Sequence, residues 1–450
     1  MTKMTNYTAT TNACKLCSPL GASIAFRGIE GCVPFLHGSQ GCATYMRRYI
    51  ISHYNEPIDI ASSSLGEKNA IYGGGPNLKL GLKNVTAKYC PQLIGVATTC
   101  LTETIGDNVP MLLAEYNREF STEDSPELVH VSTPSYSGTH MEGFTAAVAA
   151  VVEQLAAGSE TTNSLNMFSG FVSPADIRYL KEVCRKFKQQ ATIIPDYSDT
   201  LDGPALDDYP LIPEGGTPVE SIKKMGGAVA SLELGWSLPE KTGGRFLADR
   251  FNVALHRTGL PMGIRATDAF LDLLEKLSNN PIPPEYRAER GRLVDSMVDG
   301  HKYLFGKRAV IYGEEELVIG MTSFLVETGI HPVLCASGGK SGKFKAGIEE
   351  ITKGFDCPPP IVRDGVDFYD IEALAKDIGV DIVIGNSKGY ALARRENLPL
   401  IRVGFPIHDR IGGQRILHLG YRGAQALFDL IANTIIDRKQ SDSPVGYSYM

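Results

Sequence analysis

A chain of 450 residues is longer than one hydrophobic core usually supports and points to two to four domains of ordinary size. With 43% hydrophobic and 21% charged residues it reads as a soluble globular protein, and its net charge of −7 argues against nucleic acid as the main partner. The longest apolar stretches, LIGVA and AAVAAVVEQLAA, are too short or too rich in small residues to span a membrane.

From the start of the chain, MTKMTNYTATTNACK has no apolar core and is not expected to be a signal peptide. Nine cysteines, an odd number, then place the chain in a reducing cytoplasm and favour metal or redox chemistry over a disulfide framework. A helix-like segment GASIAFRGI follows Cys17, and another, ATYMRRYIISHY, follows Cys42. GLKNVTAKY, PQLIGVATTC, ELVHVSTPS and GFTAAVAAVVEQL alternate between helical and strand-like patterns, and so do LNMFSGF, ADIRYLKEVCRKF and ATIIPD. LDGPALDDYPLIPEGG (201–216) reads as a loop or boundary, and PIPPEYRAERGRLVDSMVDGHKYL as one long helix opened by Pro283 and Pro284. KRAVIYG, EELVIGMTSFLVETG, HPVLCASGG, DIEALAKDIG, VDIVIGNS and PLIRVGFP repeat the pattern. Short apolar strands alternating with amphipathic helices predict an α/β fold of three Rossmann-like domains, with mainly parallel sheets flanked by helices. The expected divisions are 1–163, 164–300 and 301–450, the last ending in a helix and tail.

Three cysteines stand where a chain exposes side chains on a rim. Cys17 lies in CSPLG, Cys42 in GSQGC and Cys100 at the end of LIGVATTC. In an open parallel sheet, ligands bind beyond the carboxyl ends of the strands. Two consecutive strands here end at Cys100 and Ser135, which should bring a thiol and a hydroxyl to one edge. A cysteine at a helix start has its thiolate favoured by the macrodipole. Three thiolates are one short of the four that an iron–sulfur cube or a structural zinc takes, so the site calls for completion by a second polypeptide. The competing reading is small buried hydrophobes, a common fate of free cysteine. Cys14, although it forms a CxxC with Cys17, is expected in a mobile arm outside this group, and Cys32 in the core. For Cys90, Cys184, Cys335 and Cys357, plain packing is the expectation.

Other motifs dissolve on inspection. GGGPN (73–77) lacks the Lys-Ser/Thr of a phosphate loop and reads as a turn before a helix. GGKSGK (338–343) would need glycine at 334, where Leu334 stands, and reads as a loop. The IHDR of Ile407–Arg410 shows no metal-ligand spacing, and no GxSxG elbow occurs. No catalytic constellation is expected in this chain.

Longer segments carry a resemblance. CSPLGASIAFRGIEGC, HGSQGCATYMRRYIISHYNEPIDIASSS, GVATTCLTETIGDNVP, STPSYSGTHMEGF, ERGRLVDSMVDGHKYLFGKRAVIYG, VIGNSKG and RVGFPIHDRIGGQRILHLGYRGA together resemble the β-type half of the nitrogenase component-1 superfamily. Within it, TNACKLCSPLGA, DRIGGQRILHLGYRGAQALFD and a short arm before Cys17 look most like the NifN-type scaffold branch. That resemblance implies an α2β2 heterotetramer with a NifE-type α subunit, maturing the iron–molybdenum cofactor while an electron-donating iron protein docks. It also implies that Cys17, Cys42 and Cys100 hold an interface iron–sulfur cluster, a four-iron cube or a larger one, with Ser135 as a further metal ligand. The cofactor precursor is expected mainly in the partner, with no nucleic acid or membrane involved. The alternative implication is the β chain of a catalytic nitrogenase, reducing dinitrogen with its α chain. A chlorophyll-pathway reductase subunit is the more distant relative.

Overall fold

The computed structural model describes residues 13–446. The segment 1–12, which holds most of the stretch read above as lacking a signal peptide, lies outside the described residues. The expected α/β architecture is present as three parallel sheets. In the first, β1 (Cys32–His37), β2 (Ala61–Ser62), β3 (Leu93–Thr98) and β4 (Glu127–Val131) run in the order β2-β1-β3-β4. In the second, β5 (Thr162–Phe168), β6 (Gln190–Ile194), β7 (Ala228–Leu234) and β8 (Ala254–Thr258) run β6-β5-β7-β8. The third holds β9 (Arg308–Gly313), β10 (His331–Ser337), β11 (Ile361–Arg363), β12 (Ile382–Gly385) and β13 (Leu400–Arg402) in the order β11-β10-β9-β12-β13. Both β1 and β3 are buried along their whole length, as strands covered by helices on both faces must be.

Each strand order reverses once, between β1 and β3, between β5 and β7, and between β9 and β12. At such a reversal the connections leave in opposite directions and open a crevice beyond the strand ends. The first sheet's crevice lies where Cys42 and Cys100 follow the strands. The third sheet's crevice lies where Glu314 and Lys388 follow them.

The long helix expected after Pro283 is Pro284–Leu304, and it leads from the second sheet into the third. The final helix Gly420–Asp442 packs back on it and on helix Gly263–Ser278. We propose these three sheets as the cores of the units 1–163, 164–300 and 301–450, with the third lending its last helix to the second.

Helices Ser18–Arg27 and His140–Leu155 cross at backbone contact. A Cβ on Gly21 would lie 1.7 Å from the His140 carbonyl oxygen, and one on Gly143 would lie 1.9 Å from the Ser18 carbonyl oxygen. Only glycine permits that approach, and it sets the position of Cys17. Among the described residues, no helix is long and apolar enough to cross a membrane.

Candidate metal centre

Each of the three rim cysteines opens a helix. Cys17 is the N-cap of Ser18–Arg27, Cys42 is the third residue of Gln40–Tyr54, and Cys100 is the first of Cys100–Ile105. Cys17 and Cys100 are exposed and Cys42 is half-buried. The other settings differ sharply. Cys14, Cys32, Cys184 and Cys335 are buried, and that burial pushes each thiol up to about 12.

The edge of the first sheet is stitched together across chain segments. His37 at the end of β1 pairs with Thr98 at the end of β3. The Thr102 hydroxyl donates to the His37 carbonyl at 2.9 Å and so ties the Cys100 helix to the β1 exit. The Thr133 amide donates to Thr98 Oγ1 at 2.9 Å, and its hydroxyl donates to the Thr98 carbonyl at 2.7 Å, which fixes the β4 exit beside them. From that exit Ser135 donates its N–H to Cys100 Sγ at 3.2 Å, and its hydroxyl accepts the Ser18 N–H at 3.2 Å. Two hydrogen bonds therefore connect the Cys17 helix, Ser135 and Cys100. Cys42 accepts from the Ser39 hydroxyl at 3.4 Å.

A concavity of about 390 Å³ lies at Cys17, lined also by Leu16, Tyr45, Tyr49, Ser135 and Lys388. The tyrosines come from the helix that carries Cys42, so the second cysteine's helix faces the first cysteine. Burial pushes the Tyr49 phenol up to about 12, helped by its hydrogen bond to Tyr45 and by the Cys17 charge. Among the described residues, no group of three or more His, Cys, Asp or Glu side chains could hold a single metal ion.

The segment leading to Cys17 corrects one expectation. Cys14 is no part of a mobile arm; it is 6% exposed and packs in the apolar cluster of the third sheet with Val310, Leu334 and Phe368. The reason is a clamp at the third sheet's crevice. The Leu16 N–H donates to His140 Nδ1 at 3.4 Å, and the Leu16 carbonyl accepts the His140 N–H at 3.0 Å. His140 Nε2 in turn donates to the buried Glu314 carboxylate at 3.0 Å. Lys388 Nζ donates to the Lys15 carbonyl at 3.4 Å, and burial holds this ammonium below the usual lysine range against the attraction of Cys14 and Cys17.

Sequence reasoning missed His140, Glu314 and Lys388. The signal was available for two of them: Glu314 directly follows β9 and Lys388 lies three residues past the end of β12, where the crevice rule would have directed attention. It also missed a buried network under the Cys42 turn. There His37 Nε2 meets Asp107 at 3.1 Å, and Asp107 accepts the Gly74 N–H at 3.1 and 3.0 Å. GGGPN is thus the turn before helix Gly75–Tyr89, anchored by a carboxylate. Asp409 of IHDR pairs with Arg402 at 2.7 Å, a structural role.

The family described as Nitrogenase component 1 type Oxidoreductase matches residues 17–436. This chain belongs to the nitrogenase component 1 family. It is 36% identical to the nitrogenase molybdenum-iron protein beta chain of Clostridium pasteurianum over 428 residues, 95% of this chain and 93% of that one. It is 35% identical to the vanadium-iron protein beta chain of Trichormus variabilis over 436 residues, 93% of this chain and 92% of that one. Among solved structures, one chain of nitrogenase Cp1 at pH 6.5 superimposes with a TM-score of 0.96 at 33% identity, covering 99% of this chain and 98% of that one. A chain of nitrogenase Cp1 at pH 5 matches at 15% identity with a TM-score of 0.73, which shows the shared fold alone. Both the molybdenum-iron and the vanadium-iron relative are beta chains of nitrogenases, so the resemblance to the family is of the β type.

Proposed function

We propose that this chain is the β subunit of a nitrogenase component 1 heterotetramer, and that Cys17, Cys42 and Cys100 hold one side of an iron–sulfur cluster closed by an α-type partner. The observation that supports this most is the edge of the first sheet. Three segments far apart in sequence bring a thiol to the start of a helix beside the point where strand order reverses. The donor set fits an iron–sulfur group: the ligands are soft, and the Ser135 N–H and Ser39 hydroxyl are aimed at sulfur. Ser135 also presents a hydroxyl oxygen beside Cys100 as a further ligand. Three thiolates fall short of a closed cube, and the rim-like arrangement suits a cluster shared with a second chain.

When bound, the cluster supplies one-electron redox chemistry. The chain's own residues then have distinct tasks. Cys17, Cys42 and Cys100 anchor, the helix Ser18–Arg27 is held in place by its glycine crossing, and Lys388 sets a positive charge near Cys17. Tyr45 and Tyr49 line the concavity beside Cys17. The nine cysteines are all free, which suits the cytoplasm.

The names of the relatives favour a catalytic β chain, serving electrons from an iron protein to a cofactor in the α chain where dinitrogen is reduced. The NifN-type scaffold with a NifE-type partner is the second reading, and it rests on TNACKLCSPLGA and DRIGGQRILHLGYRGAQALFD. One measurement separates them. The chain, purified with its α-type partner and supplied with the iron protein, should reduce acetylene and dinitrogen. A complex that reduces neither, but donates cofactor to apo-nitrogenase, is a scaffold.

A further inference from the structure

A cleft of about 900 Å³ lies away from the thiol rim, between the end of helix Ser18–Arg27, the segment 56–59 and the loop 199–215. Its lining includes Arg27, which is only 4% exposed. The buried Arg27 Nε has no hydrogen-bond partner. The carboxylates nearest in charge are committed elsewhere. Asp59 accepts from the Tyr89 hydroxyl at 2.8 Å and pairs with Arg47 at 3.4 Å, while Glu56 accepts the Gly203 N–H at 3.2 Å. Arg27 gains some stabilisation from the C-terminal end of its own helix. A buried guanidinium with a donor unmet remains expensive, and its planar fork is matched by a carboxylate.

The rest of the cleft narrows the ligand class. Glu56, Asp59, Asp199, Asp208 and Glu214 outnumber the two arginines in the lining, so a polyanion is repelled and a ligand with its own positive charge is favoured. The rim sets Leu206, Tyr209 and Leu211 at 43%, 58% and 57% exposure, an apolar wall facing solvent. We propose that this cleft binds a zwitterionic, amino-acid-like small molecule, with its carboxylate on Arg27, its ammonium toward the acidic lining and its apolar part on the Leu206–Tyr209–Leu211 wall. The site is separate from the cysteine rim, so it stands or falls independently of the proposed function.

The test is calorimetric titration of the complex purified with its α-type partner, using L-leucine, 4-methylpentanoate (the acid without the amine), 3-methylbutylamine (the amine without the acid) and inorganic phosphate. Saturable leucine binding is expected, with each single-group analogue and phosphate weaker by about tenfold or more. Arg27→Gln should weaken leucine binding by about tenfold or more while the iron content per complex stays unchanged. Leu211→Asp, a surface change that leaves Arg27 intact, should weaken it as well, and it decides the matter if Arg27→Gln does not fold. Absence of leucine binding, equal binding of the free acid or phosphate, or affinity untouched by these variants would overturn the proposal.

Discussion

The first and third sheets reverse strand order in the same way, yet their crevices end differently. Beyond β1 and β3 the chain presents Cys42 and Cys100, half-buried and exposed, with Cys17 docked beside them. Beyond β9 and β12 it presents Glu314 and Lys388, and it then covers them with its own segment 14–17 through His140. One crevice leaves its thiols open at the surface. The other is sealed from within. The same topology therefore yields an open thiol edge or a structural clamp according to whether another stretch of the same chain reaches it.

The cysteines give the largest test of this contrast. In the partnered complex, Cys17→Ala and Cys100→Ala should each remove most of the interface iron, whereas Cys335→Ala, buried in β10, should remove none; iron per complex and the visible spectrum report it. Iron unchanged by both rim variants would break the comparison. Next in size is the helix crossing. Gly143→Ala would drive a methyl into the Ser18 carbonyl, so we expect destabilisation of about 3 kcal/mol or more in denaturant titration, together with lost iron because Cys17 moves.

Glu314→Ala should cost about 1–3 kcal/mol, because it leaves a buried His140 nitrogen without its partner. Denaturant midpoints measure this, and a cost below about 0.5 kcal/mol would show that the sealed crevice contributes little. A pH series sharpens the difference between the two cysteine classes. The buried thiols Cys14, Cys32, Cys184 and Cys335 ionise near 12 in the folded chain, against 9.0 ordinarily. The unfolded chain therefore loses these protons first, and the stability held by neutral thiols is whole below pH 9 and is lost on the way to pH 12. Iodoacetamide at pH 8 should accordingly label Cys17, Cys90 and Cys100 of the cluster-free folded chain and spare these four, as peptide mapping would show. The smallest effect belongs to Arg402→Lys, which replaces a two-pronged contact to Asp409 by a single one and should cost no more than about 1 kcal/mol.

Much of this contrast is legible in the sequence. The strands β3, β4, β9, β10 and β12 announce themselves as short apolar runs between helical patterns, and the rim cysteines sit at the punctuation that follows or precedes them. The strand β1 does not, since CVPFLH carries Pro34 and ends in a buried histidine, and its burial is a property of the neighbours that cover it. The sequence reading likewise assigns no strand at β7 or β8. The edge strand β8, ALHRT, is only partly covered and carries little apolar signal. The clamp was illegible for a different reason. Leu16, His140, Glu314 and Lys388 are separated by more than a hundred residues at each step but one, and nothing local marks a histidine as the partner of a glutamate in another sheet. Cys14 was misplaced on the same ground, because its burial depends on β9 and β10.

The clamp also bears on the timing of biosynthesis. Cys17 leaves the ribosome well before the groups that dock its segment, which are His140, Glu314 and Lys388. The segment around Cys17 therefore lacks part of its clamp until Glu314 and Lys388 have been made. Domains generally fold as they emerge, N-terminal first. Here the segment that carries Cys17 is clamped in part by residues beside the third sheet, so the last of its contacts forms only after those residues have been made.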